Sequence, residues 1–93
     1  ITGDDTTNIK NGQIRIDVAA SGVTLTNIKI NNTNITSFDS SIENSAENVT
    51  ISNNNVFMEK VSGFTYAIRN YGANTKITQN NARIHGPCTD SDY

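Results

Sequence analysis

Residues of matching chemistry recur every 26 positions through most of this chain. Leu25, Ile51 and Ile77 form one such set, and Val23, Val49 and Thr75 another. Ile16, Ile42 and Ile68 form a third, Ile35 matches Val61, Phe38 matches Phe64, and Asn27, Asn53 and Gln79 share the step. A constant period of this length constrains architecture more than any single residue can. Each repeat is one unit whose apolar face must be covered by its neighbour, so the units stack.

Three blocks written in register show what one unit contains. They begin at Gly22, Asn48 and Asn74. Val23 and Leu25 alternate with Thr24 and Thr26, and Val49 and Ile51 with Thr50 and Ser52. Alternation with period two predicts a strand buried on one face. The apolar parity shifts after Asn27, which requires a bend, and Asn accepts the left-handed backbone a bend needs. Asn27 and Asn53 are therefore expected at bends, with Gln79 in the same place. Stacked at ~4.8 Å, their amides are expected to form a hydrogen-bonded ladder. Further on, Phe38 over Phe64 predicts an interior aromatic stack, and Ile42 and Ile68 are expected to point inward while Glu43 and Arg69 point outward. Ser45 to Glu47 and Tyr71 to Ala73 are the expected turns into the next unit. About three short strands and three turns make one coil, with every strand paired to its copy one coil away. No stretch has helical spacing. The predicted architecture is an all-β solenoid.

The constant period also maps Ile9 onto Ile35 and Ile16 onto Ile42, which sets the expected register of the first coil. A local likeness between residues 8–14 and 24–30 implies a shorter spacing there as the rival. Pro87 falls one period after Val61, where a strand residue is needed, and Pro cannot donate to a ladder. The expected organisation is therefore coils over residues 1–86, about three and a half of them, then an exit segment or linker over 87–93. Both end coils would leave unpaired strand edges, so the chain is expected to be a piece of a longer protein or to have its ends covered by symmetry-related copies.

At 93 residues the chain is one domain at most. Its apolar fraction of 34% is low for a compact core but suits coils that need only a thin lining. Disorder is excluded by a net charge of only -2, a single Pro and the fixed spacing of Ile and Val. Mild acidity argues against nucleic acid as a partner, and no run of ~18 apolar residues exists to enter a membrane. The lone Cys88 excludes an internal disulfide framework.

The repeated blocks, above all Asn48-Val49-Thr50-Ile51-Ser52-Asn53-Asn54, resemble right-handed parallel β-helix proteins of the pectate-lyase-like superfamily. That group includes pectate lyases, polygalacturonases and the tailspikes and tail appendages of bacteriophages. The likeness covers residues ~7 to 84 and is one of repeat style. It implies three long sheets in a single-stranded right-handed β-helix, with Asn27 and Asn53 at a sharp bend. It also implies that Ile16, Ile42 and Ile68 lie in the sheet that lines a carbohydrate groove. The catalytic motifs of the family are missing. Gly3-Asp4-Asp5 and Arg83-Ile84-His85-Gly86 match them only superficially, so no catalytic residue is carried over.

Read by the repeat, Asp17, Glu43 and Arg69 share one outward column. Stacked acids can act on a sugar as an acid and a base or nucleophile, which makes Asp17 and Glu43 the candidate catalytic pair. A surface ion pair of about 0 to 1 kcal/mol is the simpler role. Asp17, Glu43, Arg69, Tyr66 and Tyr71 are the candidate carbohydrate contacts, the tyrosines as stacking faces. His85, Cys88, Asp90 and Asp92 are possible metal ligands, but one His and one Cys fall short of zinc spacing. No cofactor or metal is expected. Asn31-Asn32-Thr33, Asn34-Ile35-Thr36 and Asn48-Val49-Thr50 match an acceptor pattern for N-glycans, as chance allows in a chain so rich in Asn and Thr. Thr24, Thr26, Thr50, Ser52 and Thr78 form a hydroxyl stripe, whose Thr array Lys76 and Ser52 interrupt.

The expected function is a structural or receptor-binding module of a phage tailspike, fibre or appendage. It would be homotrimeric, extracellular or on the virion, with host-surface glycan as its partner. The second expectation is a fragment of a polysaccharide lyase or glycoside hydrolase. An ice-binding or adhesive solenoid ranks third.

Overall fold

The structure, a computed structural model, describes residues 1–4, 7–86 and the backbone of 91–92. Among these residues there are eleven strands and no helix. One sheet contains β1 (Asn8–Lys10), β4 (Lys29–Ile35), β7 (Asn55–Lys60) and β10 (Asn81–His85). A second contains β2 (Ile14–Ile16), β5 (Ser40–Asn44), β8 (Thr65–Asn70) and β11 (Ser91–Asp92). The third contains β3 (Thr24–Thr26), β6 (Thr50–Ser52) and β9 (Lys76–Thr78). The chain visits the three sheets in fixed rotation, so each strand pairs in parallel with the strand three places on in the sequence.

The 26-residue step holds through the middle of the chain. Thr24 pairs with Thr50 and Thr50 with Lys76; Lys29 pairs with Asn55 and Asn55 with Asn81; Ile42 pairs with Ile68. Alternation does its expected work. Leu25 and Ile51 point inward and are fully buried, as are Val56, Ile42 and Ile68 within 1%. They form a single apolar cluster with Ile16, Ile28, Ile30 and Val49.

Left-handed backbone marks both ends of the third sheet. Asn27, Asn53 and Gln79 have φ of 57°, 56° and 55° just after β3, β6 and β9. Gly22, Asn48 and Asn74 have φ of 83°, 56° and 55° just before them. Gly and Asn tolerate this region best, which explains why Asn recurs at the repeat spacing. The bends are where the sequence places them, but the ladder is not. Asn27, Asn53 and Gln79 are exposed, and the interior amides belong to the residues one place on. Asn54 accepts at Oδ1 from the N–H of Ile28 (2.9 Å) and donates from Nδ2 to the carbonyl of Leu25 (3.1 Å). Asn80 repeats this one rung along, accepting from the N–H of Asn54 and donating to Ile51. The bend breaks the backbone ladder, and the side chain from the next rung replaces the lost partners.

A second corner repeats in the same way. Asn44 holds the N–H and carbonyl of Ala46 at 3.1 and 3.0 Å, and Asn70 holds those of Gly72 at 3.1 Å each. Asn44 Nδ2 donates to Asn70 Oδ1 at 2.8 Å, which joins the two rungs. The third corner does not repeat. There buried Asn32 binds both backbone groups of Gly12 and donates to Ser41 Oγ. Inward-facing Lys60 closes on Asp39.

The first circuit departs from the constant period. Asn8 pairs with Lys29, a step of 21, and Ile14 pairs with Ile42, a step of 28. Ile9 therefore lies on Ile30 rather than Ile35, and Ile14 rather than Ile16 lies on Ile42. Ile16 faces Asn44 and is still buried. The expected interior Phe stack is also absent, because Phe64 is 53% exposed, as is Val61 at 49%. A register shift after Asn32 puts Lys60 opposite Ile35, so the corner from 61 to 64 swings outward. Of the expected exit segment over 87–93, the described part is Ser91–Asp92, which pairs with β8.

Candidate functional site

The outer face of the second sheet carries the charged and aromatic column. Its members are set by the register just described. Arg15 faces Glu43 and Glu43 faces Arg69. Asp17, expected in this column, lies beyond the end of β2, and Arg15 takes its place. The cause is the 28-residue step of the first circuit, which moves every β2 residue two places relative to the constant period. Asp17 instead accepts from the N–H of Val18 at Oδ1, 2.8 Å, while its carbonyl accepts from Ala20. It is a turn residue. Asp17 and Glu43 still line one surface depression of about 190 Å³ with Arg15 and Ser45.

The contacts within the column are unequal. Arg15 Nε donates to Glu43 Oε2 at 3.2 Å. Arg15 is 71% exposed, so this bridge is worth at most about 1 kcal/mol. Among the described residues Arg69 makes no such bridge, although it is the strand neighbour of Glu43. Its guanidinium lies over two rings, with the central carbon 4.4 Å from the centroid of Tyr66 and 5.0 Å from that of Tyr71. Tyr66 is half-buried on β8 and Tyr71 is 59% exposed just past the strand end. A second depression of about 280 Å³ runs beside this cluster, lined by Gln13, Arg15, Asp39, Ser40, Glu43 and Arg69 among others. The face therefore offers flat aromatic surface, fixed charges and hydroxyl or amide donors on a rigid strand scaffold. These are the means by which proteins hold sugar rings and their hydroxyls. Asp17 and Glu43 are not stacked on adjacent rungs, because the strand neighbours of Glu43 are both arginines.

The chain matches no protein-family model, no curated protein and no solved structure. Its chemistry is read from its own residues.

The remaining candidates are dispersed. His85 on β10 pairs with Glu59 on β7, Nδ1 to Oε2 at 3.0 Å. Glu59 Oε1 also accepts from the N–H of Asn34 at 3.1 Å. The hydrogen bond from His85, then that from Asn34, holds the Glu59 carboxyl below the usual carboxylate range. Among the described residues no group of three or more His, Cys, Asp or Glu is placed to hold a metal ion. Cys88 and Asp90 lie outside the described residues, as does the side chain of Asp92. The hydroxyl stripe forms two columns on the outer face of the third sheet, Thr24–Thr50–Lys76 and Thr26–Ser52–Thr78. Sequence reasoning missed Arg15 and the ion pair of Lys60 with Asp39. Arg15 was legible only with the true register of β2, and Lys60 looks like any strand-end lysine.

Proposed function

We propose that this chain is a glycan-contacting module built as a right-handed, single-stranded parallel β-helix of about three and a half coils, of the kind found in phage tailspikes, fibres and appendages. The rotation of the chain through three parallel sheets supports the β-helix. The observation that carries the glycan reading is the arrangement of Tyr66 and Tyr71 around Arg69, beside an open depression on a rigid sheet. Aromatic faces held next to fixed polar groups suit a pyranose ring, whose C–H face stacks while its hydroxyls find donors and acceptors. Host-surface polysaccharide is the partner this implies, with an extracellular or virion location and a homotrimeric assembly.

Binding to an array of oligosaccharides tests the reading. The wild-type chain is expected to retain a subset of glycans, and the Tyr66→Ala/Tyr71→Ala double variant to lose about tenfold or more in affinity for them. An array with no signal above background, or a double variant that binds as well as wild type, would overturn it.

A second reading is favoured by one observation, the depression that Asp17 and Glu43 share. In it the chain is part of a polysaccharide lyase or glycoside hydrolase, with those carboxylates in the reaction. Glu43→Gln separates the two readings. A depolymerase that loses its activity with this change supports an enzyme, and undiminished activity removes Glu43 from the chemistry.

A further inference from the structure

We infer that the depression beside Arg69 selects glycans that carry a carboxylate. This rests on the glycan reading above and adds the chemical class. Tyr66 and Tyr71 occupy the ring-facing sides of the Arg69 guanidinium, at 4.4 and 5.0 Å. Among the described residues its N–H edge has no such partner. Among the described residues, no carboxylate lies within ion-pair distance of Arg69 and no oxygen accepts from it. A guanidinium presents five donors in one plane, in a fork that fits the two oxygens of a carboxylate.

The charges around the depression narrow the choice of ligand. Glu43 is engaged by Arg15 at 3.2 Å, and Asp39 by Lys60. Gln13 Nε2 is tied to Ser40, donating to its carbonyl and its hydroxyl at 3.0 and 3.1 Å. Among the described residues that line it, the positive charge in no ion pair is that of Arg69. A neutral sugar would stack on the rings and leave this charge unmatched. A uronic acid or another carboxylate-bearing sugar supplies the match. The two rings also fix the guanidinium in advance, so less rotamer freedom is lost when the ligand arrives.

The test uses the 93-residue chain and matched sets of oligosaccharides. One set is acidic, one is the same set with carboxyls reduced to alcohols, and one is neutral sugars bearing sulfate esters. Wild type is expected to bind acidic members about tenfold or more tighter than their reduced counterparts. Arg69→Gln should bring that ratio close to one, and Arg69→Lys, which keeps the charge but not the fork, should leave part of it. An unchanged denaturant midpoint in both variants ties the lost ratio to the site rather than to the fold. Equal affinity for acidic and reduced members overturns the inference and leaves the glycan reading standing. So does a ratio that survives Arg69→Gln, or a preference for sulfate esters over carboxylates. If neither acidic nor reduced members bind, the glycan reading fails and this inference falls with it.

Discussion

Asn80 lies directly over Asn54, and its Oδ1 accepts from both the backbone N–H and the side-chain Nδ2 of Asn54, at 2.9 and 3.0 Å. Each amide thus serves a backbone group stranded by a bend and also touches the amide of the next rung. Asn54 is 2% exposed, so its partners have no access to water if it is removed. Asn54→Ala would leave the buried Ile28 N–H without its partner and would remove the amide's bond to the Leu25 carbonyl, which the strand ladder still pairs. The expected loss is about 2–3 kcal/mol. Asn80→Ala should cost less, because Asn80 is only half-buried. Urea unfolding of both variants checks the order, and an Asn54→Ala midpoint equal to wild type would remove the ladder from the account of stability.

Gly72 and Gly22 are required for different reasons, and alanine should report the difference. A Cβ on Gly72 would lie 1.8 Å from the carbonyl oxygen of Ala46 and 2.9 Å from the Asn44 amide nitrogen. The obstacle is backbone, so the rung must shift, at an expected cost of about 3 kcal/mol. Gly22 has φ of 83° and open space around it, so Gly22→Ala meets only the left-handed backbone penalty of about 1 kcal/mol. Equal losses at the two sites would contradict this distinction.

Lys60 is 9% exposed and faces Asp39, which is 47% exposed. Asp39→Ala leaves the ammonium without its partner. The expected cost is about 1–2 kcal/mol, below that of a fully buried pair because water reaches Asp39. Lys60→Met keeps an unbranched stem on the inward face that Lys60 shares with Val56 and Met58 and should fall within about 1 kcal/mol of wild type. The double variant should then resemble Lys60→Met alone, which a thermodynamic cycle measures directly. Additive losses would mean the two side chains act independently.

The lowered pKa of Glu59 has a definite sign in acid. The folded chain favours the carboxylate, through the His85 hydrogen bond first and the Asn34 N–H second. Its contribution is complete above the ordinary carboxylate value of about 4.3 and is lost as pH falls through the lower folded value. Below pH about 4.5, wild-type stability should therefore fall more steeply than that of Glu59→Gln. Denaturant midpoints of the two proteins measured along that range decide it. Curves that remain parallel would show that the pair contributes nothing to the acid response.

How far the sequence could be read depended on whether spacing or identity carried the information. The pairing of Leu25 with Ile51, the inward Ile42 and Ile68, and the bends at Asn27 and Asn53 all followed from the period. The first circuit did not. A shorter path from β1 to β2 and a longer one from β2 to β3 give steps of 21 and 28, and these straddle 26 closely enough for isoleucines to match by accident. That accident put Asp17 in the place of Arg15. The amide ladder was misplaced by one residue because Asn53, Asn54 and Asn55 are chemically alike. Only the backbone shows that the first makes the bend and the second fills the interior. The clasp of Tyr66 and Tyr71 on Arg69 was legible as proximity, but its geometry was not, since Glu43 offered Arg69 an equally plausible partner.

The recurring amide contacts lie at two corners of each circuit, and the bonds of Asn32 and Lys60 lie at the third. Apart from Asp39, which Lys60 holds, none of the side chains described on the broad outer surface between β2 and β8 takes part in them. If this surface contacts glycans as proposed, substituting Arg15, Glu43, Tyr66 or Arg69 should therefore alter which glycans are held while the unfolding midpoint stays nearly constant. Under that proposal the scaffold would exchange one ligand for another by point changes on its outer face, with no compensating change inside.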